Sequence, residues 1–214
     1  MLSLNKYSHF LMDYDGLIVD SEKLYFETWC RVLNEEGQKV CQRFHEGKHE
    51  SEVYERVRLY LRQDMTLEEI SKYRASMFDE LVAKGQLELV EGVKGLLGKL
   101  QSIAPMSIVS NSVKDIVEDG IRSTGIEGYF NNLFCFSDKV RRKPSPDIYN
   151  LAVSKLNLKK NSILAFEDSD SGVIAARKAG VPVICISSNT LMEDFCKKNY
   201  QEYFRSAYDL LLSF

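Results

Sequence analysis

The chain has 214 residues, a formal net charge of −3, and 44% hydrophobic against 28% charged residues. That is long enough to bury a proper core, as one domain or as a domain carrying an inserted one, and the composition is ordinary for a globular protein. The slightly acidic balance argues against a nucleic-acid or anionic-membrane partner, and no apolar run is long enough to span a bilayer.

The first element is an apolar strand, Phe10-Leu11-Met12, running straight into Asp13-Tyr14-Asp15-Gly16. Residues i and i+2 of an extended segment share a side, so Asp13 and Asp15 are expected to point into one crevice, with Gly16 letting the backbone turn away. The pattern then becomes helical. Leu24, Tyr25, Thr28, Trp29, Val32 and Leu33 recur at helical spacing, with Ser21 as N-cap and Gly37 as stop. Val53, Val57, Tyr60 and Leu61 mark a second helix, and Thr66-x-x-Glu69 reads as a capping box opening a third that Gly85 ends. No strand separates these helices, so they are expected to form a small all-helical insertion.

From Glu91-Gly92 onward helix and strand alternate. Helix 93–100 precedes a strand 106–110, and helix 113–124 precedes a strand 132–136. Ser145-Pro146 opens a helix reaching Leu156; strand 163–166, helix 173–179 and strand 181–186 follow. Alternation of this kind implies an α/β fold, a Rossmann-like parallel sheet covered by helices on both faces, with ligand sites at the strand carboxyl ends. The domain bounds are 1–16 with 91–214 for the core and 17–90 for the helical insertion.

Four strand ends or loops carry chemistry: Asp13-x-Asp15-Gly16, Ser110-Asn111, Lys143-Pro144-x-Pro146-Asp147 and Glu167-Asp168-Ser169-x-x-Gly172. In this order they resemble the motifs of the haloacid dehalogenase-like phosphohydrolases, most closely the β-phosphoglucomutase and sugar-phosphatase branch, over nearly the whole chain. The resemblance implies the strand order 5-4-1-2-3, which brings the motif-bearing ends together, and makes the insertion a cap domain. It implies an enzyme that hydrolyses a small phosphorylated metabolite, a sugar phosphate-like phosphomonoester, through an aspartyl-phosphate. By the same resemblance Asp13 is the nucleophile and Asp15 the general acid and base. Mg²⁺ is the cofactor, held by the Asp13 and Asp168 carboxylates and the Asp15 carbonyl, with Glu167 nearby as a further ligand or as a hydrogen-bond acceptor beside them. Ser110, Asn111 and Lys143 are expected to hold phosphate, and Lys48 and His49, in the loop between the first two cap helices, to contact the rest of the substrate.

Three neighbouring functions set the alternatives. A phosphosugar mutase of the same branch carries Gly-Val-Ser-Arg in its cap, whose Arg holds a second phosphate. The matching stretch here is Glu46-Gly47-Lys48-His49-Glu50, with Glu50 at the Arg position, so hydrolysis is the better reading. A phospho-Asp receiver domain separates its acid pair from its phosphorylated Asp and has no helical insertion, and a non-catalytic relative would have lost one of the acids that are all present here. His9 sits at an apolar strand position and reads as a structural histidine. Five scattered cysteines (Cys30, Cys41, Cys135, Cys185, Cys196) show no metal spacing and fit a reducing compartment. A cytoplasmic monomer without a secretory signal is expected.

Overall fold

The computed structural model describes residues 3–45, 50–63, 65–137, 139–199 and 201–214. Lys48 and His49 lie outside them. The chain groups into two compact units, Met1–Val19 with Leu89–Phe214, and Asp20–Glu88.

The first unit is built on six strands: β1 (His9–Met12), β2 (Met106–Val113), β3 (Phe130–Phe136), β4 (Ile163–Glu167), β5 (Val183–Ile186) and β6 (Tyr203–Phe204). All pairings are parallel, in the order β3-β2-β1-β4-β5-β6. Read from the other edge, this is the expected 5-4-1-2-3 with β6 added outside β5. Every residue of β1 and β4 is buried, as befits central strands covered on both faces, which is why both read as unbroken apolar runs. After β1 the chain builds β2 and β3 on one side of it and then crosses to build β4 on the other. A crevice therefore opens where the carboxyl ends of β1, β2 and β4 diverge.

Leu17, Ile18 and Val19, assigned to the insertion by the 17–90 bounds, group with the first unit. Gly16, at φ +83°, lets the chain fold back so that its N–H meets the Val19 carbonyl at 2.9 Å, and the Val90 N–H meets the Ile18 carbonyl at the same distance.

The second unit holds α1 (Ser21–Val32), α2 (Glu35–Gln42), α3 (Glu50–Val57) and α4 (Leu67–Ala83). Gly37 does not stop the first helix. Asn34 does, by accepting the Gly37 N–H on its side chain at 2.9 Å and opening α2, a helix that periodicity did not separate from α1. Gly37 is a packing residue, since a Cβ there would lie 2.4 Å from Tyr60 Cβ. The Thr66–Glu69 capping box forms with both of its bonds. Within this unit Arg74 is buried with its guanidinium 3.8 Å from the Trp29 ring centre, and it donates to Glu50, to Thr28 Oγ1 at 3.0 Å and to the Tyr25 carbonyl at 3.3 Å.

The remaining helices of the first unit are α5 (Val93–Gln101), α6 (Lys114–Ser123), α7 (Asp147–Leu156), α8 (Asp170–Ala179), α9 (Thr190–Lys198) and α10 (Ala207–Leu212). Leu11, Val109, Ile148, Tyr149 and Ala165 belong to the core between sheet and helices. No helix among the described residues is long and apolar enough to cross a membrane.

Candidate active site

Asp13 is the residue after β1, 7% exposed, at the mouth of the crevice. Its Oδ1 accepts the Lys143 ammonium at 2.5 Å. Lys143 spends two further N–H groups on Glu167 Oε1 at 2.6 Å and on the Val109 carbonyl at 2.8 Å, so all three of its donors are engaged on groups at the ends of β1, β2 and β4. Asp168 follows Glu167, and Asp13, Glu167 and Asp168 each place an oxygen within 4.8 Å of the others.

Asp15 takes other partners. Its Oδ2 accepts Ser112 Oγ–H at 2.7 Å and Ser110 Oγ–H at 3.2 Å, and Ser110 Oγ in turn accepts the Ser112 N–H at 2.9 Å. The two carboxylates expected to share a crevice thus have separate supports: an ammonium for Asp13 and a pair of hydroxyls for Asp15. Asn111 spends its Oδ1 on the Lys143 backbone N–H at 2.8 Å, and its carbonyl accepts Arg142 Nη1–H at 2.6 Å. Arg142 stacks 3.8 Å from the Phe136 ring centre, and Arg141 forks onto Asp147 at 2.7 and 2.9 Å. The segment that delivers Lys143, which contains a cis Lys143–Pro144 bond, is therefore fastened on both sides of the lysine.

Two glycines leave room for the acids. A Cβ on Gly16 would fall 2.1 Å from Asp168 Oδ2, and one on Gly172 only 1.8 Å from Glu167 Oε2. Gly172 lies in the first turn of α8, where its N–H is accepted by the Ser169 side chain at 3.2 Å. The Glu-Asp-Ser-x-x-Gly spacing thus combines a helix cap with space for a buried carboxylate.

The electrostatics follow from crowding three carboxylates around one ammonium. Burial pushes the Asp13 carboxyl up, to about 7, with Lys143 opposing the rise and Glu167 and Asp15 adding to it. Burial, then Asp13 and Glu167, raise Asp168 well above the usual carboxylate range. Burial works against the Lys143 ammonium, but Asp13 and Glu167 outweigh it and raise the lysine above its ordinary value. The buried Glu167 Oε2 and Asp15 Oδ1 have no hydrogen-bond partner. An excess of buried carboxylate oxygen with unfilled acceptors is what a small hard cation satisfies, so the residues present fit Mg²⁺.

Sequence reasoning missed two residues here. Ser112 was legible in principle, because it stands two residues beyond Ser110 and an extended chain puts both on one side. Tyr149, fully buried, donates its hydroxyl to Glu167 Oε1. Its place on the apolar face of α7 gave no sign of that bond. His9 is the structural histidine expected, its Nε2 2.8 Å from Ser107 Oγ beneath the sheet's core.

The haloacid dehalogenase-like hydrolase family matches residues 10–186. A phosphorylated carbohydrates phosphatase of Thermotoga maritima is 31% identical over 181 residues, 80% of this chain and 81% of that protein. Fructose-1-phosphate phosphatase YqaB of Escherichia coli is 24% identical, over 84% of this chain and 96% of its own length. Among solved structures, a haloacid dehalogenase-like family hydrolase from Streptococcus pneumoniae superposes with a TM-score of 0.76 over 97% of this chain and 98% of that one, at 16% identity, a likeness of fold. The chain belongs to the haloacid dehalogenase-like hydrolases, in their phosphatase branch.

Proposed function

We propose that the protein is a Mg²⁺-dependent phosphatase of a small, sugar phosphate-like phosphomonoester, working through a phosphorylated Asp13. The observation that carries this reading is the Asp13 carboxylate held by Lys143 beside Glu167 and Asp168, two residues before Asp15 on its two serine hydroxyls. Mg²⁺ would be held by Asp13, Asp168 and the Asp15 carbonyl, with Glu167 nearby, and when bound would offset the negative charge of the phosphate.

In the proposed first step Asp13 attacks phosphorus and the ester oxygen departs, taking a proton from Asp15. In the second, a water gives its proton to Asp15 as it attacks the phosphorylated Asp13, releasing phosphate and restoring the free carboxylate. Lys143 holds Asp13 in one orientation and spreads the charge that builds up on the transferring group, a task shared by Ser110 and the backbone N–H groups that follow it. Asn111, committed to the Lys143 backbone through Oδ1, contributes chiefly by holding that loop.

A mutase needs a cation for a second phosphate where Glu50 stands. Glu50 instead accepts from Arg74 and, at 2.6 Å, from Ser71 Oγ–H, which favours hydrolysis. Selection among phosphomonoesters is assigned to the 20–88 insertion as cap, with Lys48 and His49 as its contacts, and the enzyme is read as a cytoplasmic monomer with all five cysteines free.

The test is phosphate release. Purified protein should hydrolyse an aryl phosphate and at least one sugar phosphate with Mg²⁺ and lose the activity on chelation. Undiminished turnover in excess EDTA would remove the metal from the reading, and transfer of phosphate between sugar carbons without net release would replace phosphatase by mutase.

A further inference from the structure

Tyr149 is wholly buried in the first turn of α7, two residues after Asp147 opens the helix. Its hydroxyl donates to Glu167 Oε1, the same oxygen that accepts Lys143 Nζ at 2.6 Å, and Nζ lies 5.6 Å from the Tyr149 ring centre. The other oxygen, Oε2, is turned toward Gly172 and has no partner. Glu167 thus carries two donors on one oxygen and none on the other. We infer that Tyr149 is a positioning residue: its hydroxyl sets the rotation of the Glu167 carboxylate and, through Glu167, the direction of the Lys143 ammonium on Asp13.

This role for Tyr149 rests on the function proposed above. The last torsion of a glutamate is broad, so one bond from Lys143 does not fix the plane of the carboxylate. A second donor on the same oxygen removes much of that freedom. An ammonium with three engaged donors can keep its line to Asp13 Oδ1 only while its other acceptors stay in place, and of these the Val109 carbonyl is backbone whereas Glu167 is a side chain. Tyr149 supplies the rigidity that Glu167 lacks. The same hydroxyl keeps Oε1 occupied, which leaves Oε2 as the glutamate's open acceptor. A tyrosine that merely fills the core would need its ring but not its hydroxyl.

The experiment uses the full chain carrying Tyr149→Phe, Glu167→Gln, both together, and Tyr149→Leu. Readouts are kcat and KM for an aryl phosphate, the Mg²⁺ dissociation constant by calorimetry without substrate, and Tm. In Y149F kcat should fall about tenfold and the Mg²⁺ dissociation constant rise about three- to tenfold, with KM changed less than about twofold. In the Glu167→Gln background the same change should cost less than about twofold, because there is no longer a carboxylate to hold. Y149L should match Y149F in kcat while losing more in Tm.

Independent, multiplicative effects of Y149F and E167Q would overturn the inference. So would kcat and metal affinity unchanged in Y149F, or a kcat that simply tracks Tm across Y149F and Y149L. If the wild-type protein released no phosphate from any phosphomonoester, the proposed function would fall, while the Mg²⁺ titrations of the four variants would still decide whether Tyr149 acts through Glu167.

Discussion

Acidification from pH 7 toward 4 should destabilise the sheet through one residue, His9, and replacing it should remove that part of the acid sensitivity. His9 is 3% exposed at the start of β1, and burial lowers its pKa from 6.5 to about 4. The sign follows from proton counting. Between those two values an unfolded chain binds a proton on His9 that the native protein refuses. Stability contributed by the neutral ring is therefore complete above pH 6.5 and is lost as pH falls toward 4. Each pH step within the window is worth about 1.4 kcal/mol, so the whole window amounts to about 3 kcal/mol and the loss by pH 4.5 to about 2–3 kcal/mol. Asp13, raised to about 7, works in the opposite direction, because the native state takes its proton first. That contribution is common to the wild type and a His9 variant and cancels between them. His9→Leu keeps an apolar side chain in the strand and leaves Ser107 Oγ the Asn132 Nδ2–H at 3.3 Å. Urea unfolding followed at pH 7 and pH 4.5 should show the wild-type midpoint falling about 1 M further than that of His9→Leu. Parallel shifts in the two proteins would refute the assignment of a neutral, desolvated His9.

The site makes three further predictions. Asp13→Asn should lower turnover at least about 10³-fold, since an amide cannot take the phosphoryl group, whereas Asp15→Asn should still be phosphorylated by an aryl phosphate whose leaving group needs no proton; trapping of the phosphorylated protein and steady-state release distinguish them. Lys143→Met removes three hydrogen bonds and leaves Asp13 and Glu167 buried without their cation, so unfolding free energy should drop by about 3–5 kcal/mol as kcat falls, and denaturation of the variant checks it. Gly172→Ala should weaken Mg²⁺ binding and turnover together, because the new methyl would occupy the place of Glu167 Oε2; Gly98→Ala, in open space on α5, should change neither, and calorimetry on the two variants tests the contrast.

How much of this was legible in the chain depends on the range of the interaction. Strands β1, β2 and β4 stand in the sequence as short apolar runs ending in Asp13, Ser110 and Glu167, and burial on both faces is the reason they do. The capping box at Thr66 and the turn at Gly16 are local chemistry and were equally readable. What escaped is either short or distant. The two-residue β6 is too brief to show a period, and α2 is hidden because Gly37, which reads as a helix stop, lies inside it and is kept there by the Asn34 cap and by packing on Tyr60. Tyr149 escaped for a different reason. On α7 it is one more apolar-face residue, and its hydroxyl has a role only once β4 places a glutamate beside it, 18 positions along the chain.

The same distinction explains why the two aspartates, two residues apart just beyond β1, answer to different parts of the protein. Their i, i+2 spacing brings them to one crevice, but what each can do is decided by the element opposite. Lys143 arrives from the loop before α7 and is fixed there by Asn111, Arg142 and Asp147 contacts that involve no acid of the site. It meets Asp13 and Glu167, an ammonium between two carboxylates. The end of β2 offers Asp15 two serine hydroxyls, which hold its carboxyl in place through hydrogen bonds to one oxygen. A nucleophile must be aimed at phosphorus, whereas an acid and base must pass a proton in each direction. Sequence spacing supplies two equivalent carboxylates; the partners brought by β2, β4 and α7 make them chemically unequal, and the division of labour proposed for Asp13 and Asp15 follows from that inequality.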